Sequence, residues 1–295
     1  MSMDADRETV TLISHPILIK EVRTVLEATN REDQFEQIRV PGINGVFHRA
    51  WLGRVPSPKE FVESIEREGG RMLRKGGGQG VTSIVETSAG TCFVKVYRPK
   101  RFYRRIRDFF RASRGIREWR SNCRAEEIGV HTAPIIAAFS RRRGFRFFHY
   151  FISAPASGRD AAVILRDLKD RGESNAPFLR DVAAYLADLH RRGFWHAHMH
   201  CKHLFRADDG TFSLIDLERS MIRSKLPHGK MYRNFRQMRK SLRSLLPDAE
   251  VRVFEESYMK AFRETTADAG NACGSWFAKY ADFLSREIQS PAGAD

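Results

Sequence analysis

The residues best suited to chemistry lie in one decapeptide, HAHMHCKHLF, which runs from His196 to Phe205. It holds four of the chain's ten histidines and one of its four cysteines. Imidazole can bind a transition metal, titrate near neutral pH, or accept a proton from a substrate hydroxyl. The spacing H-x-H-x-H-C-x-H matches no structural zinc pattern. In an extended chain, however, His196, His198 and His200 would share one face and could form a catalytic zinc site.

A lysine lies within an apolar, strand-like segment, where its charge requires a specific partner. Lys95 stands in the segment FVKV, and strand alternation places it on the same face as Tyr97. An ammonium group on a half-buried face needs an anionic neighbour. Glu118 is the candidate for this ion pair, with Glu126 and Glu127 as alternatives. All three could instead form salt bridges on the surface of a helix.

Glycines precede the strand that carries Lys95. The segment 74–99, RKGGGQGVTSIVETSAGTCFVKVYRP, predicts two antiparallel strands joined by a turn at Ser88-Ala89-Gly90. Four glycines stand at the open edge of this hairpin: Gly76, Gly77, Gly78 and Gly80. A glycine backbone can approach a ligand closely and direct its amides at an anion, so the hairpin could cover a ligand's phosphates. Glycine-rich hairpins without a ligand are also common.

Further elements must position these groups. Ser57 as N-cap and Pro58 at the first helical position predict a helix over 58–73. A second amphipathic helix is predicted over 177–193, and it leads directly into the histidine decapeptide. A turn at Asp-Asp-Gly and the strand TFSLIDLE follow, which places Asp216 near a strand end.

This order of helix, histidine loop, hairpin and acid resembles the lipopolysaccharide kinase group, the Kdo and WaaP/InaA-type branch of the protein-kinase-like superfamily. The resemblance rests on Leu189-His190-x-x-Gly193, His196, Lys202-His203-Leu204-Phe205, and Leu214-Ile215-Asp216-Leu217-Glu218-Arg219-Ser220. Arg117-Glu118-Trp119 through the segment 129–134 also resembles that group's lysine-pairing helix and the approach to the next strand. The resemblance covers roughly residues 70 to 245.

The resemblance implies an α+β, bilobal protein-kinase-like fold with a small β-rich N-lobe and a larger helical C-lobe. Residues 70–152 would form the N-lobe and residues 153–285 the C-lobe. Residues 1–69 would be an N-terminal extension that could pack on the small lobe, and residues 286–295 a flexible tail.

The resemblance also implies an ATP- and Mg²⁺-dependent kinase with specific site residues. Lys95 would hold the α- and β-phosphates of ATP, and Glu118 would orient the Lys95 side chain. The four glycines would cover the phosphates. Asp216 and His203 would bind Mg²⁺. His198 stands where kinases have the catalytic aspartate, so it is the candidate base. A pseudokinase that binds nucleotide or a partner without transfer is the alternative.

The charge of the chain predicts anionic partners, since the formal net charge is +15. Ten arginines or lysines interleave with aromatic residues over 98–120, and further basic blocks lie at 141–150 and 225–243. With the resemblance, this predicts lipopolysaccharide core or another phosphorylated glycolipid as partner, with peripheral binding to the anionic inner-membrane surface. A basic nucleic-acid-binding protein is the alternative. Because the chain shows no signal-peptide pattern and no long apolar run, we expect a cytoplasmic location.

Overall fold

The computed structural model describes residues 31, 33–55, 57–68, 71–75, 80–87, 90–97, 113–143 and 146–268, together with 279–280, 282–283 and 285–286. The chain divides into two compact units. The first comprises Met1–Arg120 and Pro134–Pro155, and the second comprises Ser121–Ala133 and Ala156–Asp295. Gly76, Gly77 and Gly78 and the basic segment 98–112 lie outside the described residues.

Among the described residues, the first unit is built on a seven-stranded antiparallel sheet. Its strands are β1 (Phe35–Val40), β2 (Ile43–His48), β3 (Arg71–Lys75), β4 (Gly80–Thr87), β5 (Gly90–Tyr97), β7 (Ile135–Arg143) and β8 (Arg146–Ser153). They lie in the order β1-β2-β7-β8-β5-β4-β3. The predicted hairpin of β4 and β5 is therefore present, and β5 is an interior strand with β8 on its other side.

Three helices accompany this sheet: α1 (Arg49–Leu52), α2 (Pro58–Glu68) and α3 (Arg114–Glu127). The Ser57 hydroxyl accepts a hydrogen bond from the Glu60 amide and so caps α2. The prediction of a helix over 58–73 was too long, because Leu73 lies in β3. Residues 69 and 70 are both glycine, which disfavours helix, and β4 offers β3 a strand partner.

The second unit is mainly helical. Its helices are α4 (Ala161–Asp170), α5 (Ala176–Arg191), α6 (His228–Arg243) and α7 (Asp248–Asp268). Its short strands are β6 (His131–Thr132), β9 (Arg159–Asp160), β10 (Phe194–Trp195), β11 (Leu204–Arg206), β12 (Phe212–Leu214) and β13 (Met221–Ile222). A four-stranded sheet has the order β6-β12-β11-β9, and β10 pairs with β13. A 3₁₀ turn, Cys201–His203, precedes β11.

The helix before the histidine decapeptide ends where the sequence predicts. The buried face of α5 includes Phe178, Val182 and Leu189, which pack into the core of the second unit. Gly193 follows with φ +75°, and a side chain there would collide with the Arg223 carbonyl oxygen. Only glycine fits this position, so α5 stops and β10 can begin.

These elements confirm the predicted α+β class, with a β-rich first unit and a mainly helical second unit. The order of elements is also the one expected of a protein-kinase-like fold. The hairpin β4–β5, which carries Lys95, is followed by helix α3, and helix α5 is later followed by the histidine loop and the hairpin β11–β12. Within the described part of the chain, no helix is both long and apolar enough to cross a bilayer.

Candidate active site

The first group of site residues is centred on Lys95 in the middle of β5. Lys95 lies opposite Thr82 of β4 and Phe151 of β8, so its backbone is fixed on both sides. Its Nζ donates a hydrogen bond of 2.5 Å to Oε1 of Glu118. The Lys95 side chain is 21% exposed, whereas that of Glu118 is 1% exposed. The Lys95 side chain is therefore held by a buried carboxylate and is itself only partly buried.

A second donor holds the same carboxylate. The Tyr97 hydroxyl lies two residues further along the face of β5 and donates to Oε2 of Glu118 at 2.5 Å. Both oxygens of Glu118 therefore accept hydrogen bonds from β5, which fixes the carboxylate in orientation as well as position. The alternatives are not partners of Lys95: Glu126 accepts from the Thr132 hydroxyl, and Glu127 is exposed. Gly80 pairs with Tyr97 across the hairpin.

The second group of site residues begins with His196, whose ring lies wholly inside the second unit. Its Nδ1 accepts from the backbone N–H of His198 at 3.1 Å. The proton therefore lies on Nε2, which donates to the Ile215 carbonyl at 3.0 Å. Burial lowers the pKa of His196 to about 4. A neutral ring with both nitrogens occupied has a structural role and cannot bind a metal.

The zinc alternative is therefore wrong. His196 cannot be a ligand, and in the part of the chain that the structure describes, no three His, Cys, Asp or Glu side chains are grouped to hold a metal ion. Cys201 is buried against the sulfur of Met238, and burial raises the pKa of its thiol to about 11. Burial also lowers the pKa of His200.

His198 differs from its neighbours because its side chain is exposed, whereas residues 193–197 and Met199 are buried. Its carbonyl oxygen accepts from Nδ1 of His203 at 2.7 Å. That contact places the His203 proton on Nδ1 and the ring's lone pair on Nε2. The loop thus fixes the backbone of His198 at both its N–H and its C=O and presents the imidazole to solvent.

Asp216 follows β12 in a strained conformation. Its φ is +65°, and among the described residues it is the sole non-glycine residue with positive φ. The preceding Ile215 bonds to both key histidines, since its N–H donates to the His203 carbonyl and its C=O accepts from His196. Such conformations cost of order 1–3 kcal/mol and cluster at functional sites.

The residues near the loop fit Mg²⁺ in part. Asp216 offers the carboxylate oxygens that Mg²⁺ prefers. His203 offers an imidazole nitrogen, which is more typical of transition-metal sites. Asp216 is therefore the better candidate ligand of the two.

Three side chains of α6 that the sequence did not predict as site residues hold this loop. Asn234 is fully buried, and its Oδ1 accepts from the His196 N–H at 3.0 Å while its Nδ2 donates to the His196 carbonyl. Its Oδ1 also lies 3.4 Å from Nε2 of His190, whose Nδ1 accepts from the Tyr258 hydroxyl at 2.5 Å. Burial lowers the pKa of His190 to about 3, so this ring is neutral as well.

Two further polar residues of α6 continue the same row. Gln237 donates from Nε2 to the Ala197 carbonyl at 2.8 Å and accepts at Oε1 from the Met199 N–H at 3.2 Å. The Ser241 hydroxyl accepts from the Cys201 N–H at 3.1 Å. With Asn234, these side chains stand at positions i, i+3 and i+7, which share one helix face. This spacing of three polar residues among apolar ones was the sequence signal that could have indicated a polar row on α6.

Comparison with known proteins finds a matching family model and a similar sequence. The sequence model described as "Lipopolysaccharide kinase (Kdo/WaaP) family" matches residues 63–258. Lipopolysaccharide core heptose(I) kinase WaaP of Pseudomonas aeruginosa (strain PAO1) is 28% identical over 210 residues, which cover 64% of this chain and 73% of that protein.

Two solved structures are also similar. One is the bifunctional kinase-methyltransferase WbdD, with 13% identity and a TM-score of 0.41 over 85% of this chain. The other is a second crystal structure of WbdD, with 14% identity and a TM-score of 0.40 over 87% of this chain. The chain spans about half the length of each, at 49% and 50%.

Proposed function

Because the chain belongs to the lipopolysaccharide kinase (Kdo/WaaP) family, we propose that it transfers the terminal phosphoryl group of ATP to a sugar hydroxyl. The acceptor would be the inner core of lipopolysaccharide or a related glycolipid. The ion pair of Lys95 and Glu118 carries this proposal, because a buried charged pair is a poor source of stability and needs another reason to be present. Binding of nucleotide phosphate by the Lys95 ammonium group supplies that reason.

Each residue then has a defined task. Lys95 binds phosphate oxygens, while Glu118 and Tyr97 keep its ammonium group in place. Bound Mg²⁺ would neutralise charge on the phosphates, with Asp216 as its carboxylate ligand and Nε2 of His203 as a second contact. His198 accepts the proton of the acceptor hydroxyl while the oxygen of that hydroxyl bonds to phosphorus. The bond from phosphorus to the leaving oxygen breaks, ADP departs, and the imidazolium returns its proton to water.

The charge of the chain supports an anionic acceptor. A net charge of +15 favours encounter with phosphorylated glycolipid, and peripheral binding at the cytoplasmic face of the inner membrane belongs to the same proposal.

A second candidate function is nucleotide or partner binding without transfer. His198 favours it, because an imidazole stands where the resemblance places a catalytic aspartate. Loss of a general base costs about 10²–10⁴-fold in rate, so the exchange could abolish useful turnover.

The test is ATP turnover by the purified full chain with lipopolysaccharide core acceptors, with and without Mg²⁺. We expect turnover that requires both the acceptor and Mg²⁺. The turnover rate of His198→Ala should be about 10²–10⁴-fold lower than that of the parent. His198→Asp restores the usual residue and should retain or raise the rate. Measurable nucleotide binding with no turnover in the parent or in His198→Asp would favour the second candidate.

The role of Lys95 needs a variant pair, because Lys95→Ala alone would leave Glu118 buried without its ammonium partner. Breaking a buried pair in this way costs about 3–5 kcal/mol of stability. The double variant Lys95→Met/Glu118→Gln removes both charges and should abolish turnover while the fold persists. Asp216→Asn should abolish it as well, and Lys169→Met, an exposed lysine on α4, is the matched control. Parental turnover in both test variants would refute the assignment.

A further inference from the structure

The segment from Arg219 to Pro247 contains nine arginines or lysines and no aspartate or glutamate. The basic residues are Arg219, Arg223, Lys225, Lys230, Arg233, Arg236, Arg239, Lys240 and Arg243. Arg239 pairs with Glu255 at 2.5 Å and Arg243 with Asp248 at 3.1 Å. Within the described residues, the other seven form no ion pair with a carboxylate. Such a concentration of like charge gives this surface a positive potential that attracts anions.

The helix geometry of α6 collects part of this charge on one face. At about 100° per residue, Arg233, Arg236 and Lys240 lie within ~60° of one another around the helix. All three are exposed, whereas Met231 and Phe235 on the opposite side are buried. The helix therefore has an apolar face toward the core and a basic face toward solvent.

The basic face borders the histidine loop. The Lys230 Nζ lies 4.1 Å and the Arg233 Cζ lies 5.8 Å from the centre of the Trp195 ring. Trp195 is buried and immediately precedes His196, so its indole is held in place next to the histidine loop in the chain. The cation–π contacts hold two cations on this one ring, three residues before His198 in the chain.

We propose that Lys230 and Arg233 form an anion subsite that binds a phosphate or carboxylate of the sugar acceptor. This inference rests on the proposed function and specifies the substrate class: a sugar that already carries negative charge near the hydroxyl to be phosphorylated. Two cations on one aromatic ring repel each other, and an anion bound to both removes that repulsion. The guanidinium of Arg233 can bind two oxygens of the same anion, and Lys230 adds a point charge.

The test compares the double variant Lys230→Gln/Arg233→Gln with the control Lys169→Gln/Arg180→Gln. The control removes the same charge from exposed positions of α4 and α5. Turnover is measured against concentration of a water-soluble, phosphorylated core oligosaccharide. We expect the acceptor KM to rise about tenfold or more in the test variant, with the ATP KM unchanged, because charged hydrogen bonds to the anion are lost. The single variant Arg233→Lys keeps the charge, so its acceptor KM should rise less than that of the test variant.

A dephosphorylated, carboxyl-reduced core separates this subsite from other effects. The test variant and the parent should use it equally well, since the group that binds Lys230 and Arg233 is missing. An unchanged KM for the charged core, or an equal rise in the control, would overturn the proposal. So would a loss of binding to phosphatidylglycerol vesicles with an unchanged KM for the soluble core, which would identify a membrane contact.

Failure of the proposed function is a separate outcome. A parent that shows no turnover refutes phosphoryl transfer, and calorimetric binding of the same phosphorylated core then tests the subsite directly. Affinity about tenfold weaker in the test variant than in the control still supports the subsite, and equal affinity excludes it.

Discussion

Replacing Asn234 by alanine removes the side chain that holds both backbone polar groups of His196. In the folded protein, the His196 N–H donates to Asn234 Oδ1 at 3.0 Å, and the His196 carbonyl accepts from Nδ2. His196 and Asn234 are both fully buried, so water cannot replace the lost partner without opening the loop.

The magnitude follows from the two groups left without a partner. A buried donor or acceptor without a hydrogen bond costs about 1–3 kcal/mol, so Asn234→Ala should lower the free energy of unfolding by about 2–6 kcal/mol. Ser241→Ala, in the same helix row, removes one hydrogen bond to the Cys201 N–H and should cost about 1 kcal/mol. The loop carries the candidate base, so turnover should fall with the loss of loop geometry.

The assay is urea unfolding followed by far-ultraviolet circular dichroism, with turnover measured on the same preparations. The expected order of stability is parent, Ser241→Ala, Asn234→Ala. If Asn234→Ala unfolds at the parental urea concentration and keeps parental turnover, α6 does not hold the loop and the reasoning is wrong.

Two further predictions concern buried polar groups. Tyr97→Phe removes a donor from the Glu118 carboxylate and should lower the free energy of unfolding by about 1.5–3 kcal/mol and raise the ATP KM. Tyr185→Phe is its control, because the buried Tyr185 hydroxyl has no hydrogen-bond partner among the described residues, and equal effects would contradict the prediction. His190 and His196 have pKa values of about 3 and about 4, below the ~6.5 of an unfolded histidine. The unfolded state therefore binds up to two more protons below pH 6.5, and stability should fall by up to about 2.7 kcal/mol per pH unit toward pH 4; urea midpoints unchanged between pH 7 and pH 5 would disagree.

The features that could be predicted from the sequence are those with a local cause. The β4–β5 hairpin follows from β-branched runs around a turn, and the end of α5 follows from Gly193, the one residue type that fits there. Lys95 stood out because a charge in an apolar strand needs a partner. The structure supplies Glu118, 23 residues away along the chain.

The features that could not be predicted depend on contacts between distant segments. Asn234 lies 38 residues after His196. The spacing of the polar residues in α6 could mark them as a row, but it does not reveal which distant segment they bind. Tyr97 alternates onto the face of Lys95, yet its bond to Glu118 depends on the place where α3 packs. The zinc interpretation failed for the same reason, since alternation assumes an extended loop. The carbonyl of Ile215 and the amide of His198 instead occupy the His196 ring.

In the histidine loop, the side chains that hold the backbone are different from the His198 side chain, which is the candidate base. The ring of His196, together with Asn234 and Gln237, satisfies the backbone of the loop, and none of these contacts uses the side chain of His198. A substitution at position 198 should therefore leave the loop conformation unchanged. The backbone N–H and C=O of His198 are bonded to the rings of His196 and His203. These bonds hold the His198 imidazole at the position that the resemblance assigns to an aspartate. Under the proposed function, the exchange would alter the proton acceptor and leave its support intact, so the rate, and not the stability, tests the role of His198.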